Sequence, residues 1–124
     1  MIGETTLARN HNKYTEVLIV TEILHRGNFD SKMSVARIEI DGKNRKVRNQ
    51  EADALYIIVA AEGECQFTLY GETEAENKII KVKSGNSVFV PKGSWYRDEG
   101  KMTMYSIYQP AFDSAKVEVA AATD

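Results

Sequence analysis

Scarcity shapes the first reading of this chain, which has one cysteine, two histidines and no apolar run longer than a strand. Cys65 has no second cysteine to pair with, so an intrachain disulfide is excluded, and a reducing cytoplasm fits such sparse cysteine usage. It lies in an alternating stretch, where a buried structural thiol is expected rather than a reactive one. His11 and His25 are the whole supply of imidazole. Iron, zinc, nickel and copper sites favour imidazole and thiolate donors, so no transition metal and no cofactor is expected. A hard-cation site on Glu51 and Asp53 would use oxygen donors instead, but such a pair is more often a solvated loop. The apolar run Leu55 to Ala61 is of strand length and falls well short of the roughly eighteen residues a membrane span needs. Glu4 and Arg9 stand among polar residues near the start, without the apolar core of a signal peptide. A net charge of −2 exerts no global pull toward nucleic acid or membrane. The expectation is a cytoplasmic protein with neither as a partner.

What is present is β-structure. The chain is 43% hydrophobic and 27% charged over 124 residues, enough for one core but not two. Glu16 to Leu24 is rich in β-branched residues. Ser34 to Asp41 alternates, with Ala36, Ile38 and Ile40 on one face and Val35, Arg37, Glu39 and Asp41 on the other, as a half-buried strand does. Glu64 to Tyr70 alternates likewise, and Lys78 to Lys83 and Met102 to Gln109 complete the set, punctuated by Asp41-Gly42, Tyr70-Gly71, Ser84-Gly85 and Glu99-Gly100. Short strands at this spacing with no amphipathic helix predict an all-β fold, a small jelly-roll β-barrel. One domain is expected over residues 16–119, after a polar segment 1–15 that is either loose or an edge strand on a neighbour, and before a frayed tail 120–124.

The most informative stretch is Gly85-Asn86-Ser87-Val88-Phe89-Val90-Pro91-Lys92-Gly93-Ser94-Trp95-Tyr96. Pro91 fixes φ and Gly93 can adopt a positive φ, so it reads as strand, tight turn and return strand, throwing Tyr96 back toward the strand just left. This stretch resembles the second motif of the cupin family, in which Gly, five residues, Pro-x-Gly and two residues precede a metal-binding His; here Tyr96 stands in its place. Tyr56-Ile57-Ile58-Val59-Ala60-Ala61-Glu62-Gly63 is similar to the end of the first cupin motif, whose Glu ligand falls on Tyr56, counted back from a hairpin glycine at Gly63. The family's His-x-His pair maps onto Gln50 and Ala52, or in a longer register onto Asn49 and Glu51. The resemblance covers roughly residues 35–112 and keeps both glycine-anchored turns while replacing every usual ligand.

The resemblance implies one pocket lined by inward-facing residues, and a homodimer formed through the outer sheet. If Tyr56 faces inward, the strand period of two places Ile58 and Ala60 with it, and Gln50, Ala52 and Ala54 too if the strand is unbroken. Tyr96, Tyr56 and Glu51 are the expected catalytic residues: a neutral phenol, with an ordinary pKa near 10, donates protons, and a carboxylate accepts them. Gln50, Ile58, Trp95 and Arg48 are the expected ligand contacts. Arg97 alternates away from Tyr96, while Trp95, Tyr105 and Tyr108 read first as core or interface packing. Lys43, Arg45, Lys46 and Arg48 form the sharpest charge cluster. Such a cluster is ordinarily a solvated hairpin tip, and less often a mouth that attracts carboxylate or phosphate ligands. The expected function is a metal-independent small-molecule cupin, an isomerase, epimerase, cyclase or lyase acting on a sugar or carboxylate. The alternatives are a non-catalytic binding protein, a metal-dependent cupin with non-standard ligands, and a structural or assembly role.

Overall fold

The computed structural model describes residues 10–13, 17–24, 27 and 32–121. Within them, nine strands form one continuous antiparallel sheet. They are β1 (Asn10–Lys13), β2 (Leu18–Leu24), β3 (Ser34–Lys43), β4 (Val47–Asn49), β5 (Asp53–Leu69), β6 (Lys78–Val82), β7 (Ser87–Val90), β8 (Trp95–Gln109) and β9 (Val117–Val119). The all-β expectation holds.

Two long strands organise the rest. β5 and β8 pair along their whole length, from Asp53 opposite Gln109 to Leu69 opposite Tyr96. Register shifts fall between Ile58 and Ala60 and between Glu62 and Gln66. Bulges of this kind bend a strand and sharpen its twist, so each long strand changes its outer neighbour partway along. The first half of β5 pairs with β7 and the second with β6, while the free edge of β8 takes β4 and then β3. The curl lets the inner faces of both halves share one core.

Two details of the sequence reading change. Gly63 does not turn a hairpin; β5 runs through it, and the glycine lies within the second register shift. Ala60 is exposed rather than inward-facing, because the first shift breaks the period of two just after Ile58. Of the segment 1–15, the described residues 10–13 form an edge strand on this chain's own sheet, with Asn10 opposite Glu22 and Lys13 opposite Ile19.

The core follows the predicted alternation. Ile38 and Ile40 of β3, Tyr56 and Ile58 of β5, and Met102 and Met104 of β8 are all buried. Tyr56, Phe67, Ile58, Met104, Cys65 and Ser106 are essentially inaccessible. The Cys65 thiol lies against the carbonyls of Glu62 and Lys101, a buried structural thiol as expected. Burial at such positions is worth about 1.5–3 kcal/mol for each large apolar side chain. The tight turn after β7 also holds: Gly93 has φ +84°, a region closed to most side chains, and its amide donates to the Asn49 carbonyl at 2.8 Å. That bond ties the turn to the end of β4 and fixes where β8 begins.

Candidate functional site: a buried tyrosine cluster

Tyr96 is the second residue of β8 and Tyr56 the fourth of β5, and both side chains point into the core. Their hydroxyls are 2.5 Å apart. Tyr108, near the far end of β8, completes the group, with its hydroxyl 2.8 Å from that of Tyr56. Tyr56 therefore bridges two phenols. The rings pack too: Tyr56 lies 5.2 Å from Phe67 and 5.9 Å from Tyr96, and meets Tyr108 edge-on at 6.2 Å. Tyr56 and Tyr96 are buried while Tyr108 is partly exposed, so Tyr108 is the member nearest solvent. Its ring contacts Phe112 at 5.3 Å.

The environment keeps all three phenols protonated. Burial, reinforced by the neighbouring Tyr108 and Tyr96, pushes Tyr56 well above the ordinary phenol value. Burial, then Tyr108 and the Asp98 carboxyl, does the same for Tyr96, and burial also raises Tyr108. A low-dielectric site disfavours the phenolate. These groups are proton donors rather than bases, and a row of three linked hydroxyls can pass a proton along itself.

Asp98 joins the cluster electrostatically. It follows Tyr96 by two residues on the inner face of β8 and is 4% exposed. Burial pushes its carboxyl up to about 6, against the opposing hydrogen bond from Asn44, whose side-chain amide donates at 2.9 Å. Ser106 lies directly opposite Tyr56, fully buried, with no hydrogen-bond partner for its hydroxyl among the described residues.

The remaining expected site residues do not gather as one group. Ile58 is in the core beside Tyr56. Glu51 lies in the turn between β4 and β5, where its amide and that of Ala52 donate to the Asn49 side chain at 2.9 and 2.8 Å. Gln50 is exposed, with its amide bonded to the Lys116 carbonyl at 2.9 Å. The turn interrupts the strand there, so parity with Tyr56 extends back to Ala54 and Ala52 but not to Gln50. Arg48 and Trp95 are paired across β4 and β8, with the guanidinium 4.7 Å from the indole ring and 2.7 Å from Glu118. Sequence reasoning missed Tyr108, Asp98 and Ser106 as neighbours of the motif tyrosines. All three share even spacing with Tyr96, a signal hidden as long as Trp95–Gln109 was divided into two strands.

No family model matches the sequence, and no curated protein does. Solved structures do resemble it. A histidine-to-glutamine variant of Streptomyces Pac13 with uridine superposes with a TM-score of 0.79 at 15% identity, over 98% of this chain and 92% of that one. This chain has the cupin fold. Pac13, described as a nucleoside dehydratase, is also known as two tyrosine-to-phenylalanine variants with uridine, at TM-scores of 0.76. Oxalate decarboxylase from Bacillus subtilis matches at TM-score 0.77 and 13% identity, over 96% of this chain but 32% of the decarboxylase. KdgF from Halomonas matches at TM-score 0.67 and 12% identity, over 86% of this chain and 93% of its own.

Cupins commonly hold a metal at the barrel centre, and the donors found there in this chain do not fit one. The two motif positions carry neutral phenols bonded to each other and held in their protonated form, whereas transition-metal sites call for imidazole or thiolate. Among the described residues no group of three or more His, Cys, Asp or Glu side chains is placed to hold an ion. His11 lies on the edge strand β1, and His25 lies outside the described residues.

Proposed function

We propose that this protein is a metal-independent cupin enzyme of the lyase or isomerase class, in which the tyrosine cluster protonates an oxygen of a small hydroxylated substrate such as a sugar, nucleoside or hydroxy acid. The observation that carries the proposal is the hydrogen-bonded chain Tyr108–Tyr56–Tyr96. In such a chain each hydroxyl donates to the next, and one terminal proton is left over for a ligand. When that terminus is Tyr108, the proton points toward the accessible end of the site. A leaving hydroxyl or developing oxyanion needs such a donor, held in place in a dry site. The resemblance to a nucleoside dehydratase, whose tyrosine variants have been studied with uridine, favours elimination of water within this class.

Proton abstraction falls to a carboxylate, with Glu51 and Asp98 as the candidates. The pH dependence expected of Asp98, and a variant of each, separate them. If Asp98 is the base, the rate rises with pH through its pKa of about 6, and the Asp98→Asn variant loses activity. If Glu51 is the base, the Glu51→Gln variant does.

The test uses uridine, simple sugars and hydroxy acids as probes, with ligand-observed NMR for binding and ultraviolet absorbance for a new conjugated double bond. The expected result is binding by the wild type and by Tyr96→Phe and Tyr108→Phe, with turnover in the variants lowered by about 10²–10⁴, the usual worth of a general acid. Full turnover in both variants would remove the tyrosines from the chemistry. The close packing of rings around Tyr56 favours, as a second reading, a cupin that binds without converting; that reading predicts saturable binding with no product under any condition.

A homodimer is part of the proposal. Val35, Ile107, Leu55 and Phe89 stand opposite one another across β3, β8, β5 and β7, on the face away from the core. Phe89 is 56% exposed, and Ile57 and Val59 on the same face are exposed too. An apolar row of this kind suits a partner sheet. Light scattering after size exclusion should give twice the 13.9 kDa chain mass, and Phe89→Glu should return it to the monomer mass.

A further inference from the structure

The basic stretch 43–46 is not a hairpin tip standing alone in solvent. It forms one wall of a surface cavity of about 310 Å³ lined by Lys43, Asn44, Arg45, Lys46, Arg97, Ala120 and Ala121. The charged residues of that lining are all cationic, in a chain whose net charge is −2. Three separate parts of the fold converge there: the turn from β3 to β4, the start of β8, and the segment after β9. The Ala120 amide donates to the Lys46 carbonyl at 2.9 Å, and Arg45 donates to the Ala120 carbonyl at 2.8 Å.

Arg97 and Lys46, like Arg45, are also held in place. Arg97 Nε donates to the Asn44 carbonyl at 3.0 Å, with a longer contact of 3.4 Å from its terminal nitrogen to the Tyr70 hydroxyl. The Lys46 ammonium sits 4.2 Å from the centre of the Tyr70 ring and 5.6 Å from that of Trp95. Two of the nearby carboxylates are engaged by other groups: Asp98 accepts from Asn44 on the buried side, and Glu118 pairs with Arg48, while Glu72 and Glu74 share a neighbouring cavity with Lys46. Bringing like charges together costs free energy that a bound anion would offset. Fixing them in advance lowers the ordering cost of binding.

We propose that this cavity binds the phosphoryl group of a small phosphate ester, at a site separate from the tyrosine cluster. A phosphate monoester carries about −1.5 to −2 charges near neutral pH and three strong acceptor oxygens. Guanidinium forks match that geometry and lysines add point charge. A carboxylate would bring half the charge to the same cations. The volume lies at the lower end of the range of ligand pockets, which suits a small ester.

The experiment is an amide NMR titration with inorganic phosphate and then pyrophosphate at low ionic strength, with sodium chloride of matched ionic strength as the control. Saturable shifts confined to residues 43–46, 97, 120 and 121 are expected, with affinity falling about tenfold in each of Arg45→Gln and Lys46→Gln as one charge-assisted contact is lost. Unchanged amide spectra elsewhere verify that the variants fold, and Tyr96→Phe should bind phosphate as the wild type does. Shifts that grow without saturating and match those from chloride would overturn the site as mere screening. Wild-type affinity in both charge variants would overturn it, as would loss of binding in Tyr96→Phe. Tight binding of an oligonucleotide that pyrophosphate fails to displace would also overturn the small-ester assignment.

Discussion

The hydroxyls of Tyr56 and Tyr96 meet at 2.5 Å although the residues are 40 positions apart in the chain. Each occupies the place of a metal ligand in the cupin motifs, so the two positions still converge, now on each other. A short O–H···O contact between neutral phenols inside a core satisfies two groups that would be costly to bury alone. Tyr108 bonds to the same Tyr56 oxygen, which makes Tyr56 the hinge of the cluster.

That asymmetry separates two conservative variants. Tyr56→Phe removes both of the hydrogen bonds that its hydroxyl makes in the core, so a loss of about 1–3 kcal/mol is expected. Tyr96→Phe leaves Tyr56 bonded to Tyr108 and should cost less than half as much. Urea denaturation of the two variants, with slopes checked for constancy, measures this. Equal losses would show that the bridge contributes nothing beyond ordinary packing.

Asp98 gives a pH signature. Its carboxyl has a pKa of about 6 in the folded chain against an ordinary 3.8, so the folded state holds its proton more tightly than the unfolded state. Stability from this group is therefore complete below about pH 4 and is lost as pH rises through 6. The difference amounts to about 3 kcal/mol. The groups around it, Asn44, Tyr96 and Tyr108, stay uncharged across that window. Asp98→Asn should be the more stable protein at pH 7, with the gap closing toward pH 4. Thermal melts from pH 3.5 to 7.5 that run parallel for the two proteins would refute the account.

Much of the fold was legible because alternation in Ser34 to Asp41 and in Cys65 to Leu69 reports burial directly, and because Pro91 and Gly93 leave one turn geometry open. The motif tyrosines were legible for the same reason. What stayed hidden depended on continuity. No local signal says that β5 passes through Gly63 rather than turning, or that β8 runs unbroken from Trp95 to Gln109. Without that continuity Tyr108, twelve residues beyond Tyr96 and on the same face, reads as a packing residue of another strand. Gln50 was misplaced by the opposite error, since the turn at Asn49 breaks a strand that alternation would have continued.

The bend itself can be tested at Gly100. Its φ is +124°, and a Cβ there would stand 2.6 Å from the Cys65 sulfur and 2.8 Å from the Glu64 carbonyl oxygen. Backbone and a packed thiol cannot both yield that much space. Gly100→Ala should cost more than about 2 kcal/mol, combining backbone strain with overpacking, whereas Lys101→Ala next to it should cost little. Similar stabilities for the two variants would mean that β5 and β8 do not cross closely at the bend.

Ser106 makes the sharpest contrast between stability and function. Its hydroxyl is fully buried opposite Tyr56 and beside Ala36 on β3, with no hydrogen-bond partner among the described residues. A buried hydroxyl left unpaired costs about 1–3 kcal/mol, and a small neighbour such as Ala36 does nothing to relieve it. Ser106→Ala should therefore raise stability, by about 1 kcal/mol, while weakening the binding of any ligand that reaches the tyrosine cluster, because the ligand is what would pair that hydroxyl. Thermal melts with and without a bound probe measure both effects on one sample. A variant less stable than the wild type would show that the hydroxyl already has a partner in the apo protein. A stabilised variant with unchanged ligand affinity would remove Ser106 from the site and leave its hydroxyl a plain defect of the core.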